Sequence, residues 1–323
     1  MIYDSGMKYG RLFGAVLPLL TTLSLISCTE TDDLTSGRIV VVGSESVWRV
    51  MDDEARDFMA MYGKATVRAV RAGSVEGLKT LFETPITRET LLAVSARPLT
   101  DQEKSAAKKQ GFEPKEYRIA RDGIAIIVNR VNPVEELTLE QVRDILSGRI
   151  GNWRDVPREE RPGSQDRFDL PVKVFFGRPG SASYQQLNDS VLKGAGLAAG
   201  AVQCSTQFDI IRNVAANKGA VGYCGSTYLY RDWLVRPPDP EPGIRAVALS
   251  RTTEDDALLP DQGTLYDGSY LLGRDIYLVA RREPKGIVSG FVTFVMSAKG
   301  QQVAVADGLA PATVKLTVNR EAE

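Results

Sequence analysis

The sequence predicts an α/β fold with mostly parallel sheets. Three observations carry this expectation. Short apolar runs of strand length alternate with helical patterns along most of the chain. Several of those runs end in Gly or Ser, and a helical pattern follows, the order expected of strand–loop–helix units. Hydrophobic residues make up 43% and charged residues 25%, as in ordinary globular proteins that bury a core. At 323 residues the chain exceeds the usual domain of about 100–200 residues, so one large domain or two modest ones is expected.

The elements follow in order. Ile39-Val40-Val41-Val42 is a buried strand ended by Gly43. Val47, Met51, Ala55, Phe58 and Tyr62 recur at spacings of three and four, so they share one face of a helix. Residues 66–70 form a second strand, and Gly73-Ser74 opens a helix reaching Phe82. Residues 91–94 form a third strand. Residues 100–110 form a charged helix that Gly111 ends. Residues 124–128 are a buried strand, and Asn132-Pro133 marks a turn. Thr138 followed by Gln141 is a capping box that starts a helix reaching Leu146. A strand at 172–176 ends in Gly177, and residues 181–192 and 206–216 are helical. Strands at 220–223 and 276–280 and a helix at 288–296 complete the pattern. Residues 157–169, 237–243 and 251–262 read as surface loops, and no internal repeat is visible.

The first residues read as a targeting signal. Lys8 and Arg11 precede the mostly apolar run 12–26, which is shorter than the 18 or so residues a membrane span needs. The run ends in Leu25-Ile26-Ser27-Cys28, which resembles the bacterial lipoprotein box. That resemblance implies a signal peptide over 1–28, with Cys28 as the lipid-modified first residue of the mature chain. Residues 29–37 are polar and acidic and read as a flexible tether.

Composition excludes several functions. Lys plus Arg is 40 against 41 for Asp plus Glu, so the basic footprint of a nucleic-acid binder is absent. The sequence contains no histidine, which removes Ser-His-Asp and Cys-His nucleophile systems and every His-ligated zinc site. There is no GxSxG elbow, and no SxxK lies in the candidate loops. Neither a metal nor a cofactor is expected, and a small-ligand binder is favoured over an enzyme. Cys204 and Cys224 are either a disulfide permitted by export or two buried thiols.

Four loops share one arrangement. They are Gly43-Ser44-Glu45-Ser46, Gly73-Ser74, Ser95-Ala96-Arg97 and Arg178-Pro179-Gly180-Ser181-Ala182-Ser183. Each follows a strand, and in a parallel sheet such loops gather on one edge, where ligands bind. A helix start offers free N–H groups to an anion, serine adds hydroxyl donors, and arginine binds an oxyanion with paired donors. Any one of these serines also reads as a simple N-cap.

The sequence resembles the phosphate-binding proteins of bacterial phosphate ABC transporters from about Ile39 to Thr313. The matching stretches are GSESVWRVM, AGSVEGLKTLF, VSARPLTDQE, DGIAIIVNRVNPVEELTLEQVRDILSGRIGNW, KGAVGYCG and the end from RDIYLVARR to GLAPA. The resemblance implies a two-lobed periplasmic binding protein fold of type II, with two crossing hinge strands. Lobe 1 would hold residues 38–128 and 265–323, and lobe 2 residues 129–264. It implies a monomeric, lipid-anchored protein of the cell envelope that captures inorganic phosphate between its lobes and delivers it to an ABC permease. The ligand-binding residues it implies are Ser44, Ser46, Ser74, Ser95, Arg97, Arg178, Gly180, Ser181, Ala182 and Ser183.

The sequence also departs from the family. Only Pro179 separates Arg178 from Gly180, where the family usually has two residues, one of them in some members an Asp that accepts the proton on phosphate. Ser181-Ala182-Ser183 stands for Ser-Gly-Thr, and Ala96 for an Asp found in some relatives. Glu45, in the first loop, is the candidate replacement acceptor; the competing role is an acidic residue favoured near a helix start. These departures leave two alternatives: a binder of another oxyanion such as sulfate, molybdate or tungstate, and a ligand-free surface interaction protein with the same fold.

Overall fold

A computed structural model describes residues 33–85, 90–157, 168–229 and 243–315. The signal peptide, Cys28 and residues 29–32 of the expected tether lie outside the described residues, as do most of the expected loops at 157–169 and 237–243. The last two residues of that tether, Ser36 and Gly37, belong to the first strand instead. No helix among the described residues is long and apolar enough to cross a membrane.

The chain begins with strand β1 (Ser36–Gly43), helix α1 (Trp48–Met61), strand β2 (Lys64–Arg71), helix α2 (Ser74–Glu83) and strand β3 (Thr90–Ser95). β1 lies between β2 and β3 and is parallel to both. Its last five residues are all buried, as a strand covered on both faces requires. β2 alternates exposed and buried positions along its first half and lies at the sheet edge. Gly43 pairs with Arg71 and with Val94, so the ends of these three strands lie on one line.

Helix α3 (Asp101–Lys109) follows, with a capping box between Thr100 and Glu103, and leads into the long strand β4 (Lys115–Asn129). A short strand β5 (Glu136–Thr138) precedes α4 (Leu139–Leu146), where the expected Thr138–Gln141 capping box is formed. Strand β6 (Lys173–Phe176), helix α5 (Ala182–Leu187) and a π-helical turn (Asn188–Leu192) come next. Strand β7 (Val202–Gln203), helix α6 (Gln207–Ala216) and strand β8 (Ala220–Gly225) follow. The remainder is β9 (Ile244–Ala246), β10 (Ala248–Ser250), α7 (Gln262–Asp267), β11 (Gly273–Ala280), α8 (Gly286–Met296), α9 (Ala298–Ala306) and β12 (Ala310–Pro311).

The main sheet runs in the order β2-β1-β3-β11-β4-β8-β6-β7, with β9 and β12 also on β4, while β5 and β10 form a separate parallel pair. The fold is therefore mixed α/β. Every antiparallel pairing between named strands involves β4 or β11. These two strands connect the parallel group β1–β3 to the parallel group β6–β8. The buried apolar residues divide accordingly. One cluster contains Ile39, Phe58, Ile119 and Phe291, with a small satellite around Leu81, and another contains Ile124, Trp153, Ile210 and Leu249. β4 feeds both clusters, through Ile119 and Ala120 at one end and residues 124–128 at the other.

The structure extends several expected elements. β4 starts nine residues before the expected strand, because its first half, KEYRIA, is largely polar and partly exposed. α9 carries no strong apolar stripe and was not expected. Residues 251–256 are exposed, as a surface loop should be, but α7 begins within the expected loop. Cys204 and Cys224 are both buried free thiols, which decides between the two readings.

Candidate functional site

The strand ends converge on a cleft of about 540 Å3. From the β1–β3 side it is lined by Ser44, Glu45, Ser46, Arg71, Ala72, Gly73, Ser74, Val75 and Glu76. From the β6–β8 side come Gly177, Arg178, Gly180, Ser181, Ala182, Ser183, Ser205, Thr206, Gln207 and Tyr223.

The first loop depends on Gly43. Its φ is +147°, a conformation that disfavours side chains, and an added Cβ would lie 2.0 Å from the Val94 carbonyl oxygen. Ser44 N donates to that same oxygen at 2.9 Å, which locks the loop onto β3. The Ser44 and Ser46 hydroxyls lie 3.0 Å apart, and either can donate to the other. Thr227 donates its hydroxyl to the Ser46 carbonyl at 3.0 Å. The second loop is held the same way, by Ala72 N donating to Gly43 O at 2.9 Å. Ser74 begins α2, and its buried hydroxyl accepts from Ala96 N at 3.1 Å.

In the fourth loop, Gly177 N donates to the Tyr223 hydroxyl at 2.9 Å. Ser181 caps α5 by accepting from Tyr184 N at 3.2 Å. Ala182 and Ser183 are buried just beyond it, while Arg178 and Gly180 are exposed on the cleft wall.

Of the residues expected from sequence, Ser44, Glu45, Ser46, Ser74, Arg178, Gly180, Ser181, Ala182 and Ser183 all meet at this cleft. Ser95 and Arg97 are not on its wall. The Ser95 hydroxyl is buried and donates to the Arg97 carbonyl at 2.7 Å. The Arg97 guanidinium is held by both carboxylate oxygens of Glu103 at 2.8 Å and donates to Pro98 O at 2.9 Å. This arginine is spent on the start of α3.

The structure adds residues that sequence reasoning missed. Arg71, the last residue of β2, is an exposed cation on the cleft wall with its guanidinium 5.9 Å from the centre of the Trp48 ring. Ser205, Thr206 and Gln207 open α6, where Thr206 and Asp209 form a capping box. The capping pattern was a readable signal for this loop. Arg71 carried none, because it ends a strand and precedes the Gly-Ser element.

Glu45 lies between these groups. Its Oε1 accepts the Gln207 backbone N–H at 3.1 Å. Burial pushes its pKa above the ordinary carboxylate value, against the opposing pull of the Gln207 N–H, Arg71 and Arg178. The cleft thus offers several hydroxyl donors, two exposed guanidinium groups and a carboxyl that takes up a proton more readily than usual. Among the described residues no group of three or more Cys, Asp or Glu is placed to hold a metal ion.

The sequence profile of the PBP superfamily domain matches residues 29–299. The chain belongs to this superfamily. Two curated relatives of this PBP superfamily chain are named phosphate-binding protein PstS. The protein of Staphylococcus saprophyticus is 26% identical over 311 residues, which cover 91% of this chain and 88% of the relative. The protein of Pseudomonas aeruginosa is 25% identical over 289 residues, covering 87% and 85%. Among solved structures, a Clostridium perfringens protein of the phosphate ABC transporter substrate-binding class, with phosphate bound, aligns with a TM-score of 0.70 and 25% identity. That alignment covers 85% of this PBP chain and all of the other. An ABC-type phosphate transport receptor from Vibrio cholerae aligns with a TM-score of 0.62 at 22% identity, over 85% of this chain and all of the receptor, and shares the fold.

Proposed function

We propose that the protein binds inorganic phosphate in this cleft and delivers it to an ABC permease as an exported lipoprotein anchored through Cys28. The observation that carries the reading is the joint placement of serine hydroxyls with Arg71 and Arg178 around one cleft between the two strand groups. Guanidinium and hydroxyl donors match the oxygens of an oxyanion, and arginine keeps its charge at any relevant pH. The names of the curated relatives point the same way.

The strand groups β1–β3 and β6–β8 serve as two lobes, with β4 and β11 as the crossing strands between them. Lobe closure would bury the anion among these donors and present a closed surface to the permease. Capture and release require no bond making. The absence of histidine from the sequence fits a protein that leaves its ligand chemically unchanged. The protein acts as a monomer, with its own two lobes supplying every ligand contact.

Isothermal titration tests the reading. The purified protein, freed of ligand by unfolding and refolding, is titrated with phosphate and then sulfate at neutral pH. Tight phosphate binding without sulfate heat supports the proposal. Sulfate binding equal to that of phosphate overturns the phosphate assignment, and no binding of either anion overturns the transport reading.

A further inference from the structure

Beneath the cleft, β11 and β4 place a buried ion pair whose third contact reaches the ligand wall. Arg274 is 7% exposed and Asp122 is fully buried. Arg274 Nε and Nη2 donate to Asp122 Oδ2 at 3.1 and 2.7 Å. The other carboxylate oxygen, Oδ1, accepts from Gly123 N at 2.8 Å and from Ser226 Oγ and N at 2.9 and 3.2 Å. The arginine's charge is therefore matched within the protein. Its third nitrogen, Nη1, donates to Ser183 Oγ at 3.0 Å.

Ser183 has a second donor neighbour. Gln207 Oε1 accepts from Gly225 N at 2.7 Å, which turns the Gln207 amino group toward Ser183, with Nε2 at 3.5 Å from Oγ. A serine hydroxyl carries one proton and two lone pairs, whereas a guanidinium can only donate. Both side chains against Ser183 thus fill its lone pairs. Its own O–H has no acceptor among the described residues, although the residue is 4% exposed and lies on the cleft wall. By contrast, Ser44 and Ser46 face each other and can exchange donor and acceptor roles.

We propose that Arg274 is a positioning residue that makes Ser183 an obligate hydrogen-bond donor to the bound anion. It acts through Ser183 and does not itself neutralise the ligand. A donor already aimed before binding avoids the ordering cost of a freely rotating hydroxyl. The arrangement requires the ligand to present an unprotonated oxygen at Ser183. The inference rests on the anion-binding reading above.

The test is a coupling measurement by phosphate titration of the purified protein. Ser183→Ala is compared in two backgrounds, wild type and Asp122→Asn/Arg274→Met. The paired replacement removes the ion pair without leaving a lone buried charge. Thermal unfolding without phosphate confirms that each protein is folded. In the wild-type background, Ser183→Ala is expected to weaken phosphate binding about 10–100-fold, as for a lost hydrogen bond to a charged group. Without Arg274 the same substitution should cost no more than about threefold, because the hydroxyl is no longer fixed as a donor. Ser183→Thr should stay within about threefold of wild type, since it keeps the hydroxyl.

Equal losses in both backgrounds overturn the proposal. If the paired replacement does not fold, Arg274→Lys provides the second background, because one ammonium cannot reproduce the guanidinium fork between Asp122 and Ser183. A wild-type protein that ignores phosphate refutes the ligand reading separately. The coupling is then read with whichever of sulfate, molybdate or tungstate binds, and binding of none of them overturns both inferences.

Discussion

The Glu45 carboxylate accepts the Gln207 backbone N–H at 3.1 Å, across 162 residues of sequence. The bond joins the loop after β1 to the first turn of α6 and fixes a carboxyl on the cleft wall, within electrostatic reach of Arg71 and Arg178. An acidic group facing an anion site repels a fully ionised anion. It attracts an anion that still carries a proton, because it can accept that proton in a hydrogen bond.

Glu45→Gln is expected to weaken phosphate binding about tenfold and to admit sulfate, since the amide no longer repels it. The amide oxygen can still accept from Gln207, so the loop should hold. The pH dependence has a definite sign. Burial raises the Glu45 pKa, so the carboxylate is lost as pH falls through a value above the usual 4.5 of glutamate. Sulfate affinity of the wild type should therefore rise on acidification, while that of Glu45→Gln stays flat. Unchanged phosphate affinity together with unchanged sulfate rejection in the variant would remove Glu45 from selectivity.

Arg178 and Arg97 give opposite expectations. Arg178 lies exposed on the cleft wall, whereas Arg97 is clamped by Glu103 away from it. Arg178→Ala should weaken phosphate binding about 10–100-fold, as for the loss of a charge-assisted contact. Arg97→Ala should leave affinity within about threefold and lower stability instead, because it unpairs Glu103 at a part-buried position. Titration and thermal unfolding of the two variants separate the roles.

These two arginines also mark how far the sequence is legible. The strand–Gly/Ser–helix grammar located the loops and the fold class, because φ requirements and apolar periodicity are local properties. It could not tell which arginine faces the ligand. Arg97 and Arg178 each follow a strand end, and only the position of Glu103 six residues later decides Arg97. Arg71 was invisible because its role depends on the register of β2 against β1, which sets it beside Gly43. The first half of β4 was missed for a related reason. Its polar residues tolerate strand geometry only because β11 and β12 pair with it.

Gly43→Ala tests the backbone frame of the cleft. The residue holds φ +147°, and a Cβ would strike the Val94 carbonyl oxygen at 2.0 Å. The oxygen cannot move freely, since it also accepts from Ser44 N. A loss of about 1–3 kcal/mol is expected, as for other overpacked sites. Phosphate affinity should fall with it, because Ser44, Glu45 and Ser46 hang from this turn. Denaturant unfolding with parallel titration checks both effects; a variant as stable as wild type would show that the turn can relax.

Glu54 offers a test of stability alone. It sits on α1, fully buried beside Val50, Met51, Ala55 and Phe58, and neither carboxyl oxygen has a hydrogen-bond partner among the described residues. Burial raises its pKa from 4.5 to about 9, helped by Asp57, Asp307 and Asp53. Below pH 4.5 the group is protonated in both folded and unfolded chains and adds no pH dependence. Between 4.5 and about 9 the unfolded chain ionises while the folded chain stays neutral, so stability falls as pH rises. At pH 7 the accumulated cost is about 3 kcal/mol, from about 1.4 kcal/mol for each pH unit above the unfolded value. Glu54→Met keeps the volume, removes the titration and relieves two unpaired oxygens. It should therefore unfold at higher denaturant than wild type at pH 8, with the gap narrowing toward pH 5. A gap that does not change with pH would mean that Glu54 is already ionised in the folded protein.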